Sequence, residues 1–204
     1  MKLVCPVSAP GRIERDRREG AAIREEALWI AAIRQGDESA FTSVVERYQT
    51  AIARYLRRLV GSASLAEDLT QETFLKAYAA ILRTDSELAL RPWLYRIATN
   101  EAKMYFRRQR LIRFLPFLGG RQEPAGPSAA EGLDEREQVR QALSRLPEEY
   151  SAPLLLYLVE GFKHHEVGAI LGISPEAARK RVARGSEMFR KAYAALEGAA
   201  DAMR

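Results

Sequence analysis

Between Pro116 and Gly132, seven of 17 residues are glycine or proline. Interior glycine weakens a helix by about 1 kcal/mol and proline by about 3, so no helix survives that density. Proline also removes a ladder donor, which excludes a central strand. A structureless stretch of this length reads as a tether between domains, not as a loop within one. The 204 residues are thereby divided into two blocks of small-domain size. In both blocks apolar residues recur at spacings of three and four, with neither strand-like alternation nor a repeat of fixed period. The predicted fold class is therefore all-α: two small helical domains joined by a flexible linker.

Along the chain, residues 1–26 alternate arginine with acid and hold few residues able to nucleate a core, so a weakly ordered N-terminal extension is expected. The first domain is placed at residues 27–112. "LWIAAIRQG" predicts a short helix stopping at Gly36, and Asp37 is a good N-cap for the next. There Phe41, Val44, Val45, Tyr48, Ile52, Tyr55, Leu56 and Leu59 form one apolar face. Gly61 closes that helix, and Ser64 to Glu67 has the capping-box pattern that opens a third. Its predicted buried stripe is Leu65, Leu69, Phe74, Ala77, Tyr78, Ile81 and Leu82, with Asp68, Gln71, Glu72 and Lys76 outside. After the loop "RTDSELAL", Pro92 suits the first position of a fourth helix, from which Trp93, Ile97 and Ala98 face the core. The linker spans 113–133 and the second domain 134–204. In the latter, Val139, Ala142, Leu143 and Leu146 are periodic, and Pro153 is expected to mark or kink the start of "PLLLYLVEG".

Composition narrows the chemistry. A net charge of +5 and a pI near 9.5 favour anionic partners. The single cysteine, Cys5, builds no disulfide framework and fits a reducing compartment. No run of 18 apolar residues exists and the N-terminus has no signal-like apolar stretch, so a cytoplasmic protein is expected. His164 and His165 are adjacent, which does not place both on one helix face, and no metal site or cofactor is expected. Glycine-rich phosphate loops and catalytic constellations are missing, so the chain is read as no enzyme and as having no small-molecule substrate.

Two basic segments remain. "RPWLYRIATNEAKMYFRRQR", residues 91–110, sets six basic residues and one acid beside Trp93, Tyr95, Tyr105 and Phe106. A membrane-surface helix is disfavoured because Asn100 and Lys103 interrupt its apolar stripe. "HEVGAILGISPEAARKRVARGSEMFRKAY", residues 165–193, has the grammar of a helix-turn-helix. Val167, Ile170 and Leu171 lead to Gly172; Ser174 then caps a second helix and Pro175 takes its first turn. In that helix Arg179, Lys180, Arg181 and Arg184 lie within about a turn and a half, where they meet phosphates and base edges together. Gly168 stands where such a first helix usually carries alanine, at about 1 kcal/mol in propensity, and Ala178 where a larger aliphatic packs.

Three segments, in this order and spacing, resemble an extracytoplasmic-function (ECF) sigma factor of the sigma-70 family: "AEDLTQETFLKAYAAI" at 66–81, "WLYRIATNEAKMYFRR" at 93–108, and "LSRLPEEYSAPLLLYLVEGFKHHEVGAILGISPEAARKRVARG" at 143–185. The resemblance covers residues 28–111 and 134–193. It implies a region 2 helical bundle that docks on the beta-prime clamp helices of core RNA polymerase and melts the minus-ten element. It further implies a region 4 helix-turn-helix domain that reads the minus-thirty-five element, with the polymerase beta flap and an anti-sigma factor, often membrane-anchored, as further partners. By position, Asp68, Gln71 and Glu72 match the clamp-binding segment, and Asn100 the asparagine beside a flipped base. Arg96, Lys103, Arg107 and Arg108 are implied to hold phosphates of the melted strand, with nearby rings available for stacking. Ser174, Glu176, Arg179, Lys180, Arg181 and Arg184 are implied to face the minus-thirty-five duplex.

The departures concern specificity. Met104 replaces a frequent aspartate, and "RTDSELAL" replaces a Phe-Arg-Gly type loop. Glu176, Ala177 and Ala178 stand for Gly-Thr-Val, and Lys180 for serine. Promoter preference is therefore not inherited from relatives. The competing reading is a stand-alone helix-turn-helix regulator that binds duplex DNA tightly without polymerase.

Overall fold

The computed structural model describes residues 10–83, 88–114 and 135–202. Among them are eight helices: α1 (Pro10–Arg34), α2 (Glu38–Val60), α3 (Ala63–Ile81), α4 (Leu90–Phe114), α5 (Glu135–Ser144), α6 (Glu148–Leu158), α7 (His164–Leu171) and α8 (Pro175–Ala202). None is long and apolar enough to cross a membrane. Nearly all of the linker expected at 113–133, and residues 84–87 of the loop before α4, lie outside the described residues.

In the first bundle, α2 packs on α1, α3 and α4. Gly36 and Gly61 take positive φ, 91° and 77°, where only glycine is free of strain, and so punctuate the chain as expected. The Asp37 carboxylate caps α2 by accepting from the Ser39 N–H at 2.9 Å. Val44, Ile52, Tyr55 and Leu56 on α2 are fully buried, each worth about 1.5–3 kcal/mol of apolar transfer. Inside this core the Thr99 hydroxyl donates to the Tyr95 carbonyl at 2.7 Å. Its single proton is thereby committed, so the Tyr55 hydroxyl, 2.8 Å away, is the donor to Thr99.

Several expectations are corrected. The chain is helical from Pro10, so most of the stretch expected to be weakly ordered belongs to α1. The end of that stretch and the turn after it are anchored by polar contacts that apolar periodicity does not reveal. Buried Glu26 accepts from the Tyr48 hydroxyl, Glu25 pairs with Arg47 at 2.5 Å, and the Arg47 guanidinium lies 5.3 Å from the Trp29 ring centre. The cap of α3 is Ser62, accepting from the Leu65 N–H, and Ser64 sits inside the first turn. Leu82 is exposed, because α3 ends at Ile81. Helix α4 starts at Leu90, which sets Pro92 third, still among the N–H groups that have no intrahelical partner. Its core face runs through Leu90, Leu94, Ala98 and Ala102, while Trp93 and Ile97 are half-buried at the edge.

The second bundle is centred on α8, which packs against α5, α6 and α7. Helix α6 begins at Glu148 with Pro147 as its cap residue, so Pro153 lies inside the helix, buried, and does not mark its start. Gly168 is also reinterpreted: a Cβ there would stand 2.8 Å from the Ile173 carbonyl oxygen. Glycine thus allows the turn to close on α7, an advantage that offsets its poor propensity. Gly185 on α8 behaves likewise, since a Cβ would stand 2.8 Å from the Tyr150 carbonyl on α6. Gly185→Val is expected to lower stability by about 1–3 kcal/mol through overpacking, read as a lower urea midpoint for the second bundle.

The two bundles are not separate in space. Helix α4 packs on α7, and α2 packs on α5 and α6. Buried residues of both bundles form one continuous cluster.

Candidate nucleic-acid interface

Helix α4 presents two opposite faces. Buried Leu90, Leu94, Ala98 and Ala102 occupy one; Arg96, Asn100, Lys103, Arg107 and Arg110 recur at four, three, four and three on the other. Arg96, Asn100 and Arg107 are exposed, and Lys103 is half-buried. Arg108 is exposed about a quarter-turn away. Half-buried Trp93, Ile97 and Met104 flank the basic stripe, which places an indole ring beside it. Tyr95 is withdrawn: only 1% exposed, it packs edge-on against Tyr55 at 5.2 Å. Tyr105 and Phe106 are half-buried and meet edge to face at 5.8 Å. Glu101, the segment's one acid, is turned inward onto Lys76 of α3 at 2.5 Å, away from the basic face.

On α3, Asp68, Gln71 and Glu72 are all exposed and share one face. The face also holds Leu75, 65% exposed, one turn beyond Gln71 and Glu72. Leu75 was absent from the sequence-based set. Its spacing from Asp68, seven residues, carried the signal, but an apolar residue in an amphipathic helix is assigned to the core by default.

Helix α7, eight residues long, meets α8, which runs for 28 and is not the short helix expected, through a turn with Gly172 at φ 68°. The Ser174 hydroxyl accepts from the Ala177 N–H at 3.1 Å, so this serine caps α8. Glu176, Arg179, Lys180 and Arg184 are exposed, while Ala178 and Val182 face inward. Arg179 pairs with Glu176 at 2.8 Å and Arg184 with Glu187 at 2.9 Å. Both pairs are three residues apart on a solvated surface, worth a few tenths of a kcal/mol each, and yield readily to a stronger anion. Arg181 is half-buried, turned from that set toward the seam with α4. There its charge acts on Lys103, whose ammonium is held below its usual range chiefly by burial.

Among the described residues no group of three or more histidine, cysteine or acidic side chains is placed to hold a metal ion. His164 stacks on Tyr157 with ring centres 4.2 Å apart.

The chain matches two family descriptions: Sigma-70 region 2 over residues 44–112 and Sigma-70, region 4 over residues 136–188. The RNA polymerase sigma factor CarQ of Myxococcus xanthus is 34% identical over 168 residues, covering 80% of this chain and 95% of the relative. The ECF RNA polymerase sigma factor SigW of Bacillus subtilis is 28% identical over 179 residues, covering 79% and 93%. Among solved structures, CnrH in complex with the cytosolic domain of CnrY has TM-score 0.63 at 24% identity, covering 86% of this chain and 98% of that one. The sigma factor RpoE in complex with the anti-sigma factor NepR from Bartonella quintana has TM-score 0.61 at 23% identity, covering 74% and 95%. The solved structures share the fold, and the sequence relatives, matched over nearly their whole length, carry the kinship: the chain belongs to the ECF group of the sigma-70 family of RNA polymerase sigma factors.

Proposed function

We propose that this sigma factor directs core RNA polymerase to a promoter class by dividing three tasks among three surfaces. The acidic face of α3 docks on the clamp helices of the polymerase. The basic face of α4 holds the melted minus-ten strand. The exposed start of α8 reads the minus-thirty-five duplex from the major groove. The protein forms and breaks no covalent bond in this scheme; opening rests on capture of unstacked bases, which offsets an unstacking cost of a few kcal/mol per step.

The observation that carries the reading is the division of α4. An amide, Asn100, lies between cations four residues before and three after it, on a face opposite the core. Phosphates are held on both sides of a group able to hydrogen-bond a base edge. Exposed Leu158 and Val159 at the end of α6 supply an apolar surface for the polymerase flap. Because the solved neighbour RpoE is bound to the anti-sigma factor NepR, an anti-sigma factor is a natural partner for this chain.

Transcription from a pool of randomised promoters tests the reading. Core polymerase with this protein is expected to enrich a two-block motif at fixed spacing; core alone enriches none. Leu75→Asp is expected to weaken core association by about tenfold or more, by setting a charge at the centre of a docking face. Titration of labelled core polymerase measures it.

A further inference from the structure

The exposed face of α8 begins with an acid. Glu176 is the second residue of the helix, and Arg179, Lys180 and Ala183 follow it on the same outward side. Opposite them, Ala178, Val182 and Gly185 are buried. The Ser174 cap steadies the first turn, so the Glu176 side chain departs from a fixed backbone. Arg179 donates to the Glu176 carboxylate at 2.8 Å, and this bond, aided by the Arg179 charge, holds the carboxyl below its usual range. The group is ionised and purely an acceptor at neutral pH.

An acid in this place works against binding a polyanion. A helix entering the major groove is drawn in by phosphate charge, and a carboxylate at its leading end is repelled by the same phosphates. Glu187, farther along α8, is different, because it bridges Arg184 and Lys191, each at 2.9 Å. The Glu176 side chain is 57% exposed, free enough to reach a base edge. On the groove floor it has one well-matched base. Cytosine offers the N4 amino donor; guanine offers acceptors at O6 and N7, thymine an acceptor beside a methyl, and adenine an N7 acceptor beside its N6 donor. Two acceptor oxygens suit the first, clash with the next two and half-match the last. Arg179 lies about 4.5 Å farther along the helix axis, a little more than one base step of about 3.4 Å. Ala183 presents only a methyl, so no long side chain there holds α8 off the floor.

We propose that Glu176 is a specificity-determining residue that accepts from the N4 amino group of one cytosine in the minus-thirty-five element, while Arg179 reads a guanine one step away. The proposal rests on the reading of the start of α8 as the groove-entering element. The two side chains stay adjacent on the duplex, so the attraction that pairs them in the free protein offsets the repulsion between Glu176 and phosphate. The guanidinium fork then meets guanine O6 and N7 beside the cytosine held by the carboxylate. A neutral residue at this position would favour every sequence alike. The acid instead penalises sequences that lack the amino donor, which is how a repulsive group creates selectivity.

The test uses the full chain with core polymerase and a promoter pool whose minus-ten block is fixed and whose minus-thirty-five block is randomised. Wild type is expected to enrich cytosine at one position by about tenfold over the other bases. Glutamine carries a donor beside its acceptor and matches adenine N6 and N7, so Glu176→Gln is expected to move that one preference to adenine. Glu176→Ala is expected to erase it and leave the other positions as they were. Profiles that are unchanged in both variants, or that lose strength uniformly, overturn the proposal, because an acid that only steadies the helix start acts on every promoter alike. A change confined to a guanine position also overturns it and makes Glu176 a positioning residue for Arg179. Arg179→Ala with Lys180→Ala, both exposed, probes the α8 reading separately. If that pair erases the minus-thirty-five preference while the Glu176 variants change nothing, only the cytosine assignment fails; if it leaves the preference intact, the reading of α8 fails with it.

Discussion

Reversing two charges on α3, Asp68→Arg with Glu72→Arg, is expected to lower affinity for core RNA polymerase by about a hundredfold or more. Both side chains are exposed on one face, with Gln71 between them and Leu75 a turn further on. Neither appears among the ion pairs or hydrogen bonds of the described residues, so the fold does not depend on them. Changes at such positions shift stability by about half a kcal/mol or less. Against a basic partner, however, each substitution converts an attraction into a like-charge contact. Such contacts cost several kcal/mol across an interface, and every 1.4 kcal/mol is tenfold in affinity. Circular dichroism and the thermal midpoint are expected to match wild type, so lost association is attributable to the surface. The single-strand affinity of the free protein is expected to survive, since α4 is untouched.

Asn100→Ala is expected to do the reverse: core association intact, open complexes reduced by about ten- to a hundredfold. The residue is exposed on the side of α4 opposite the buried Leu94, Ala98 and Ala102. Alanine has better helix propensity than asparagine, so α4 itself is not weakened. What disappears is one amide able to pair with a base that has lost its stacking partner. A captured base left unpaired forfeits roughly 1–3 kcal/mol. The deficit belongs to melting and not to recruitment, so it is expected to shrink on a template with a pre-opened minus-ten bubble. Permanganate reactivity of unpaired thymines on closed and pre-opened templates measures this directly. Equal impairment on both would place Asn100 outside the capture step.

The helices of both bundles were legible because each carries an apolar stripe at helical spacing, and because glycine and proline stand at most of their ends. Asp37, Gly61, Gly172, Ser174 and Pro175 do in the structure what their chemistry implies. The errors have physical causes. The part of α1 before residue 27 was taken for a tail because the docking of its end runs through Glu25 and Glu26, and polar anchors leave no periodic signature. On α4 the expected Ala98 is buried, but the rest of the core face was set one residue off, because Trp93 is large and apolar whereas Leu94 and small Ala102 are the residues that turn inward. Gly168 was read as a defect because the carbonyl it accommodates, that of Ile173, belongs to a turn whose path the sequence does not display.

The candidate site divides in the same way. Exposure of Asp68, Gln71, Glu72, Asn100 and the arginines followed from helical arithmetic. The inward turn of Arg181 did not, nor did the contacts of Glu160 with Tyr95 and of Phe162 with Arg91, because these depend on how the second bundle lies on the first. Contacts of that kind join residues some 65 positions apart, and no local pattern encodes them.

The central claim is that the chain reads promoters only as part of holoenzyme. Its most direct test is binding to a duplex promoter, taken from the enriched pool, with and without core RNA polymerase. The account predicts weak, salt-sensitive and sequence-indifferent binding by the free protein, and tight binding to that promoter over a scrambled duplex once core is present. Tight, sequence-specific duplex binding by the free protein would contradict it.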